Sequence, residues 1–127
     1  MVQRQSQTLE DRLNAAELSA DGNQSIVSLA AAATMTKALC GKLVIVTAAT
    51  GVAFTVPKDA DDTSGMAVGD WCDVIQGGAG QVTITAGSGA TLRNAAATAK
   101  ILAQYGRVRV QKIGASTFAV SGQLAAS

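Results

Sequence analysis

The sequence predicts an all-β protein, an antiparallel β-sandwich or β-barrel-like domain with a short N-terminal helix or arm. Two patterns point there. From about Ser25 onward the apolar residues recur with a period of two, in short runs broken by Gly, Asn, Asp and Ser clusters. Several runs lie only one turn apart, a spacing that favours antiparallel hairpins and leaves no room for the crossover helices of βαβ units. Residues 1–20 behave differently: they are Gln-rich and charged, hold neither Gly nor Pro, and carry Val2, Leu9, Leu13, Ala16 and Ala20 at helical spacing. The expected division is therefore residues 1–22 as a helix or arm and 23–127 as the β-domain.

Taken in order, the first segment reads as barely two heptads, with Leu9 and Ala16 at one seam position, Leu13 and Ala20 at the other, and Ser6 as a polar member. It is too short to be stable alone. Three readings remain open for it: an amphipathic helix lying on the domain, a helix that pairs subunits, or a loose arm. Asp21, Gly22 and Asn23 close it as turn residues.

Strands are expected at Ser25–Leu29, Lys42–Thr47, Val52–Val56, Asp70–Gln76, Gln81–Thr85, Lys100–Tyr105, Arg107–Ile113 and Thr117–Ser121. In the fifth, Gln81, Thr83 and Thr85 alternate with Val82 and Ile84, which predicts one wet and one buried face. The Leu43–Val46 run does not alternate. It predicts burial on both faces, between two sheets or between a sheet and a neighbouring subunit. Val52, Phe54 and Val56 form an inward face closed by Pro57, which cannot donate to a ladder. The Ala-rich Thr91–Ala99 reads as a short helix or an irregular segment, and Leu124–Ser127 as a loose tail.

Length and composition bound the rest. A chain of 127 residues, 48% apolar but only 3% aromatic, suits one domain whose core is built from Ala, Val, Ile and Leu. Phe54, Trp71, Tyr105 and Phe118 are its only large pieces. A core of small side chains is weak for a lone monomer, so an oligomer is expected. The formal charge of +1, without a basic stripe or stacking rings, speaks against a nucleic-acid partner. No apolar run reaches transmembrane length and the N-terminus has no signal-peptide core, so neither a membrane nor export is expected, and synthesis in a reducing cytoplasm is.

The chain contains no histidine, which removes imidazole-based triads, proton shuttles and zinc sites. Cys40 and Cys72 have no CxxC spacing and read as buried hydrophobes or, alternatively, as a disulfide. The glycines at Gly77–Gly80 and Gly87–Gly89 lie between β-patterned runs, so hairpin turns needing positive φ explain them better than phosphate loops do. Asp59, Asp61 and Asp62 lack the calcium-loop spacing and read as a solvated loop. Asp70 and Asp73 point to opposite faces of one strand and do not form an acid–base pair. No catalytic, cofactor or metal residue is therefore expected. Arg107 and Arg109 share one strand face. They are expected either to grip a carboxylate on a partner surface or to be a solvated, edge-protecting face. With Leu9, Leu13 and Ala16 they are the candidate oligomer or partner interface.

VGDWCDVIQGGAGQVTITAGSGATLRN, followed by KILAQYGRVRVQKIGASTFAVSGQL, resembles a β-rich domain of tailed-phage structural proteins, found in capsid decoration proteins, head fibres and tail fibres. The shared features are Gly69–Asp70 at a strand start, a hairpin at Gln76–Ile84, the AGSG turn at Ala86–Gly89 and the AQY strand at Ala103–Tyr105. A closing Lys112–Gly114 and Phe118–Leu124 pattern follows, and an upstream hairpin, Leu43–Pro57, belongs to the same resemblance, which spans roughly residues 26–124. One departure is Phe118, where the family often carries a Trp, while this chain has its Trp at position 71.

The resemblance implies a virion structural protein without enzymatic activity, working as a homotrimer on the capsid exterior. There it would act as a decoration (cement) protein that binds the major capsid protein and stabilises the shell. The alternative it leaves open is a head-fibre, neck or tail-fibre adaptor or adhesion module. Synthesis would be in the bacterial host cytoplasm.

Overall fold

The computed structural model describes residues 24–96 and 98–126. The expected helix or arm, with Leu9, Leu13 and Ala16, lies outside the described residues. The rest is a mostly β chain of nine strands, β1 (Ile26–Leu29), β2 (Ala33–Thr34), β3 (Leu43–Val46), β4 (Val52–Val56), β5 (Trp71–Gln76), β6 (Val82–Ala86), β7 (Thr91–Asn94), β8 (Arg107–Gly114) and β9 (Thr117–Gly122). Two single 3-10 turns, Lys37–Leu39 and Asp59–Asp61, interrupt them.

Among the described residues the expected antiparallel hairpins are mostly absent, and five of the seven strand pairings are parallel. From β1 to β7 the strands alternate between a six-stranded sheet, in the order β1-β3-β5-β8-β9-β7, and a three-stranded sheet, β2-β4-β6, and β8 and β9 both join the larger one. The chain thus winds. Each of the first three strands of the larger sheet is followed by one of the smaller sheet, and the next coil lays its strands parallel to both. A parallel pair needs a long return connection. Here that connection is a strand of the other sheet rather than a helix, which is why strands one turn apart did not become hairpins.

The second and third coils match residue for residue. Leu43 pairs with Asp73 and Val52 with Val82, 30 residues further along in both cases. Sheet pairing then changes character: β8 and β9 form the one antiparallel hairpin, which inserts between β5 and β7. A bulge at Ile113 leaves that residue outside the ladder.

Inward residues of both sheets meet in one core. Val44, Val46, Val74, Val108, Val110, Phe118 and Val120 come from the larger sheet and Phe54, Val56, Val82 and Ile84 from the smaller. The alternation expected at Gln81–Thr85 is present, with Val82 and Ile84 buried and the threonines partly exposed. Leu43–Val46 departs from expectation: Val44 and Val46 are buried, whereas Leu43 and Ile45 are half-exposed on the outer side.

Two further expectations are corrected. Thr91–Asn94 is a strand, paired in parallel with β9. Lys100–Tyr105 is not; only Lys100 and Ile101 form isolated bridges, and Leu102–Gly106 bends away. Tyr105 is therefore no core residue, being 73% exposed.

The first glycine cluster turns a corner between the sheets rather than a hairpin, and none of Gly77, Gly78 and Gly80 has positive φ. They are needed for close approach, since a Cβ on Gly78 would sit 2.3 Å from the carbonyl oxygen of Ala48 in the preceding coil. Buried Gln76 completes the corner: its side chain accepts from the Val82 amide and donates to the Gly78 carbonyl. In the second cluster Gly89 does take the left-handed conformation, at φ +86.

Candidate interaction surface

On β5 the alternation turns Cys72, Val74 and Gln76 inward and Trp71, Asp73 and Ile75 outward. The antiparallel register sets Gln111, Arg109 and Arg107 of β8 opposite those outward residues. Asp73 is nevertheless only 2% exposed, because long side chains close over it. Arg109 Nε donates to Asp73 Oδ1 at 2.8 Å and Arg109 Nη2 to Oδ2 at 3.2 Å, a two-pronged grip. Arg107 Nη2 also donates to Oδ2, and Gln24 Nε2 does so at 3.2 Å. Gln24 in turn accepts from Arg107 at 2.9 Å. Burial alone would raise the Asp73 pKa, but the hydrogen bonds from Arg109, Arg107 and Gln24 outweigh it and hold the carboxyl at about 2.

The expected sharing of one face by Arg107 and Arg109 is therefore present, with a difference in what they hold. Their carboxylate belongs to the same chain, and β8 lies between β5 and β9, so no sheet edge is being protected. Two guanidiniums face one carboxylate, which leaves one positive charge in excess. Both arginine side chains are about half exposed, at 46% and 50%. Trp71, expected in the core, is half-buried on this outer face instead, with the Arg109 guanidinium 3.9 Å from its ring centroid. Beside it lie Leu43, Ile45 and Ile75, half-exposed, and Ile26, 61% exposed.

The outer face of the smaller sheet is chemically opposite. Thr34, Thr55 and Thr85 stand in register across its three strands, and the Thr55 and Thr85 hydroxyls are hydrogen-bonded at 2.9 Å. Such a face is satisfied by itself and by water. The aliphatic, Trp- and Arg-bearing face of the larger sheet has the composition of a contact surface.

Apolar side chains also project at both ends of the β5–β8 pair. At one end Val68 and Ile113 are 64% and 49% exposed, and at the other Leu102 and Tyr105 are 57% and 73% exposed. Tyr105 holds a left-handed backbone at φ 68, uncommon outside glycine, and its amide donates to the Gln76 carbonyl at 2.6 Å. Sequence reasoning missed Trp71, Leu102 and Tyr105 as surface residues because aromatic and large aliphatic residues default to the core; the Tyr105–Gly106 pair was the available turn signal.

The remaining candidates each have structural partners. Lys112 points inward on β8, its stem in the core, and its ammonium reaches Asp59 Oδ1 at 2.6 Å and the Met66 carbonyl at 3.2 Å. The Lys112 bond and the Ser116 amide hold the Asp59 carboxyl below its usual range. Asp62 accepts from Ser64 and Met66, so the 59–66 loop is tied down, and it is not simply solvated as expected. Asp70 pairs with Lys37 at 2.6 Å and Asp73 with the arginines, so the two acids do not meet. Both cysteines are free thiols, and burial pushes Cys72 up to about 12, where it stays protonated and unreactive. Among the described residues no group of three or more acidic or thiol side chains is placed to hold a metal ion.

No family model, curated protein or solved structure matches this chain.

Proposed function

We propose that this chain is a virion structural protein, a trimeric capsid decoration protein that binds the outer surface of the shell and stabilises it. What supports this reading is the amino-acid sequence of residues 68–94 and 100–124, which resembles the β-domain of tailed-phage structural proteins, although Leu43–Pro57 and Gln76–Ile84 form corners between the two sheets rather than hairpins and Ala103–Tyr105 is not a strand. The two sheets around one core are read as the sandwich-like body of such a module, and the chain as non-enzymatic. Its partners are two more copies of itself and the major capsid protein. Each contact contributes modestly, and repetition over many copies makes the stabilisation large.

Quantitative mass spectrometry of purified particles tests this against the shell protein. Decoration requires about a hundred copies or more, whereas about a dozen to a few dozen would place the chain in a head fibre, neck or tail. Absence from the particle would overturn the virion reading.

The projecting Tyr105 is the best anchor for the shell contact, since a left-handed non-glycine residue costs about 1 kcal/mol and is retained where it aims a side chain. Tyr105→Gly is expected to keep or slightly raise the melting temperature, by up to about 5 °C, while removing the aromatic contact. Co-sedimentation with purified shells should then fall about tenfold or more, the loss of a single interface anchor. Binding equal to that of the wild type would remove Tyr105 from the contact.

A further inference from the structure

The outer face of the larger sheet and the segment that precedes it are complementary. We infer that residues 9–20 of the same chain dock across this face, over Ile26, Leu43, Trp71 and Ile75 and beside Arg107 and Arg109. The inference stands on these residues alone and holds whether or not the chain is a virion protein.

Four observations converge on this occupant. The first is position. The Gln24 side chain reaches across to Asp73 and Arg107 on this face, which ties the chain to it just before β1. The sequence Asp21-Gly22-Asn23, of turn-forming residue types, comes immediately before Gln24, and a reversal there would bring residues 9–20 back over this face.

The second is charge. Of the nine acidic residues, four (Glu10, Asp11, Glu17 and Asp21) fall in the first 21 positions, against two arginines, Arg4 and Arg12. The face carries the excess positive charge of the Arg107–Asp73–Arg109 group. A second copy of the same face would bring like charges together, which disfavours a self-complementary pairing.

The third is pattern. At 100° per residue Leu9, Leu13, Ala16 and Ala20 form one stripe, and Glu10 and Glu17 flank it on the same side. That is the arrangement an aliphatic face bordered on one side by arginines requires.

The fourth is size. Twelve residues in a helix would extend about 18 Å. The four strands β1, β3, β5 and β8 are about 15 Å across, and β5 is about 20 Å long. The segment is long enough to cover the face and too short to be stable without it. The half-exposed Leu43 and Ile45, on a strand whose composition predicts burial on both faces, are then explained by a cover from the chain's own N-terminal residues.

Trp71 is the single tryptophan and lies on this face, so its fluorescence reports the cover in the full-length chain. In a Leu9→Asp/Leu13→Asp variant its emission should move to longer wavelength and its acrylamide quenching constant should rise about twofold as the ring gains water. Glu10→Lys/Glu17→Lys should act in the same direction. Leu18→Asp, on the opposite side of the helix, should do neither. Far-UV circular dichroism monitors the β-domain in each variant. Unchanged emission and quenching in the Leu9/Leu13 variant would overturn the inference, as would an equal response to Leu18→Asp. A wild-type emission shift on dilution would overturn placement on the chain's own face, because only a segment borrowed from another copy leaves with that copy.

Discussion

Replacing Gly80 with alanine is expected to remove a large part of the stability of the β-domain. The residue is buried at the corner between β5 and β6, and it stacks on the equivalent corner of the coil before it. An added Cβ would stand 2.0 Å from the carbonyl oxygen of Thr50, 2.3 Å from its carbon and 2.7 Å from its nitrogen. All three are backbone atoms, so no side chain can rotate away. Either the β3–β4 corner or the β5–β6 corner must shift, and both carry the parallel register that joins Leu43 to Asp73 and Val52 to Val82. Overpacking of this kind costs about 3 kcal/mol or more, against a total of about 5–15 kcal/mol for a domain. The melting temperature should fall by about 10 °C or more. Gly65→Ala is the informative comparison. Gly65 has positive φ, at +77, but nothing lies within 4 Å of the point where a Cβ would stand. Its cost is conformational only, about 1 kcal/mol. Urea unfolding of both variants separates the two effects. Equal losses would mean that the coils are not in close contact at the Gly80 corner.

These corner glycines show what the sequence conveys and what it leaves out. Strand positions were legible because period-two runs report burial directly; Val52–Val56 was anticipated to the residue, and β5, β6, β8 and β9 within a residue or two. Pairing was not. A run such as Gln81–Thr85 has the same alternation whether its neighbour is parallel or antiparallel, and short connections pointed to hairpins. The signal that would have corrected this is the offset of LVIVTAATGVAFTV against DVIQGGAGQVTITA, where each strand–corner–strand unit repeats with constant length rather than constant residues. β2 and β7 were missed for a different reason: a strand of two residues has no periodicity, and Thr91–Asn94 is held by β9, far away in sequence. The candidate surface was half legible. Alternation alone placed Arg107 and Arg109 together, but their partner Asp73 depends on the β5–β8 register, which no local pattern encodes.

That partner gives the second large effect. Asp73→Ala should cost about 2–4 kcal/mol at neutral pH, since it leaves two guanidiniums facing each other and Gln24 without the carboxylate that organises them. It should also change the pH dependence in a defined direction. The folded-state pKa of about 2 lies below the ordinary aspartate value of about 3.9, so the native state favours the ionised form. The stabilisation is complete above the unfolded-state value and is lost as pH falls toward 2. The gap corresponds to at most about 2.5 kcal/mol, reduced toward 1–2 kcal/mol because both arginines are half exposed to screening water. Asp59 and Asp70 are lowered too and weaken the wild type in the same acidic range. The difference between wild type and variant therefore isolates Asp73. Unfolding free energies measured from pH 6 to pH 2 should draw together by about 1–2 kcal/mol, with the wild type losing that part of its advantage and the Asp73→Ala curve falling less steeply. Parallel curves would show that the carboxylate is not ionised against the arginines. Because Gln24 is bound to the same carboxylate, Asp73→Ala should also release the point where the N-terminal segment meets the sheet. The Trp71 emission shift expected from Leu9→Asp/Leu13→Asp should then appear in this variant as well, joining the stability of the charged cluster to the covering of the face.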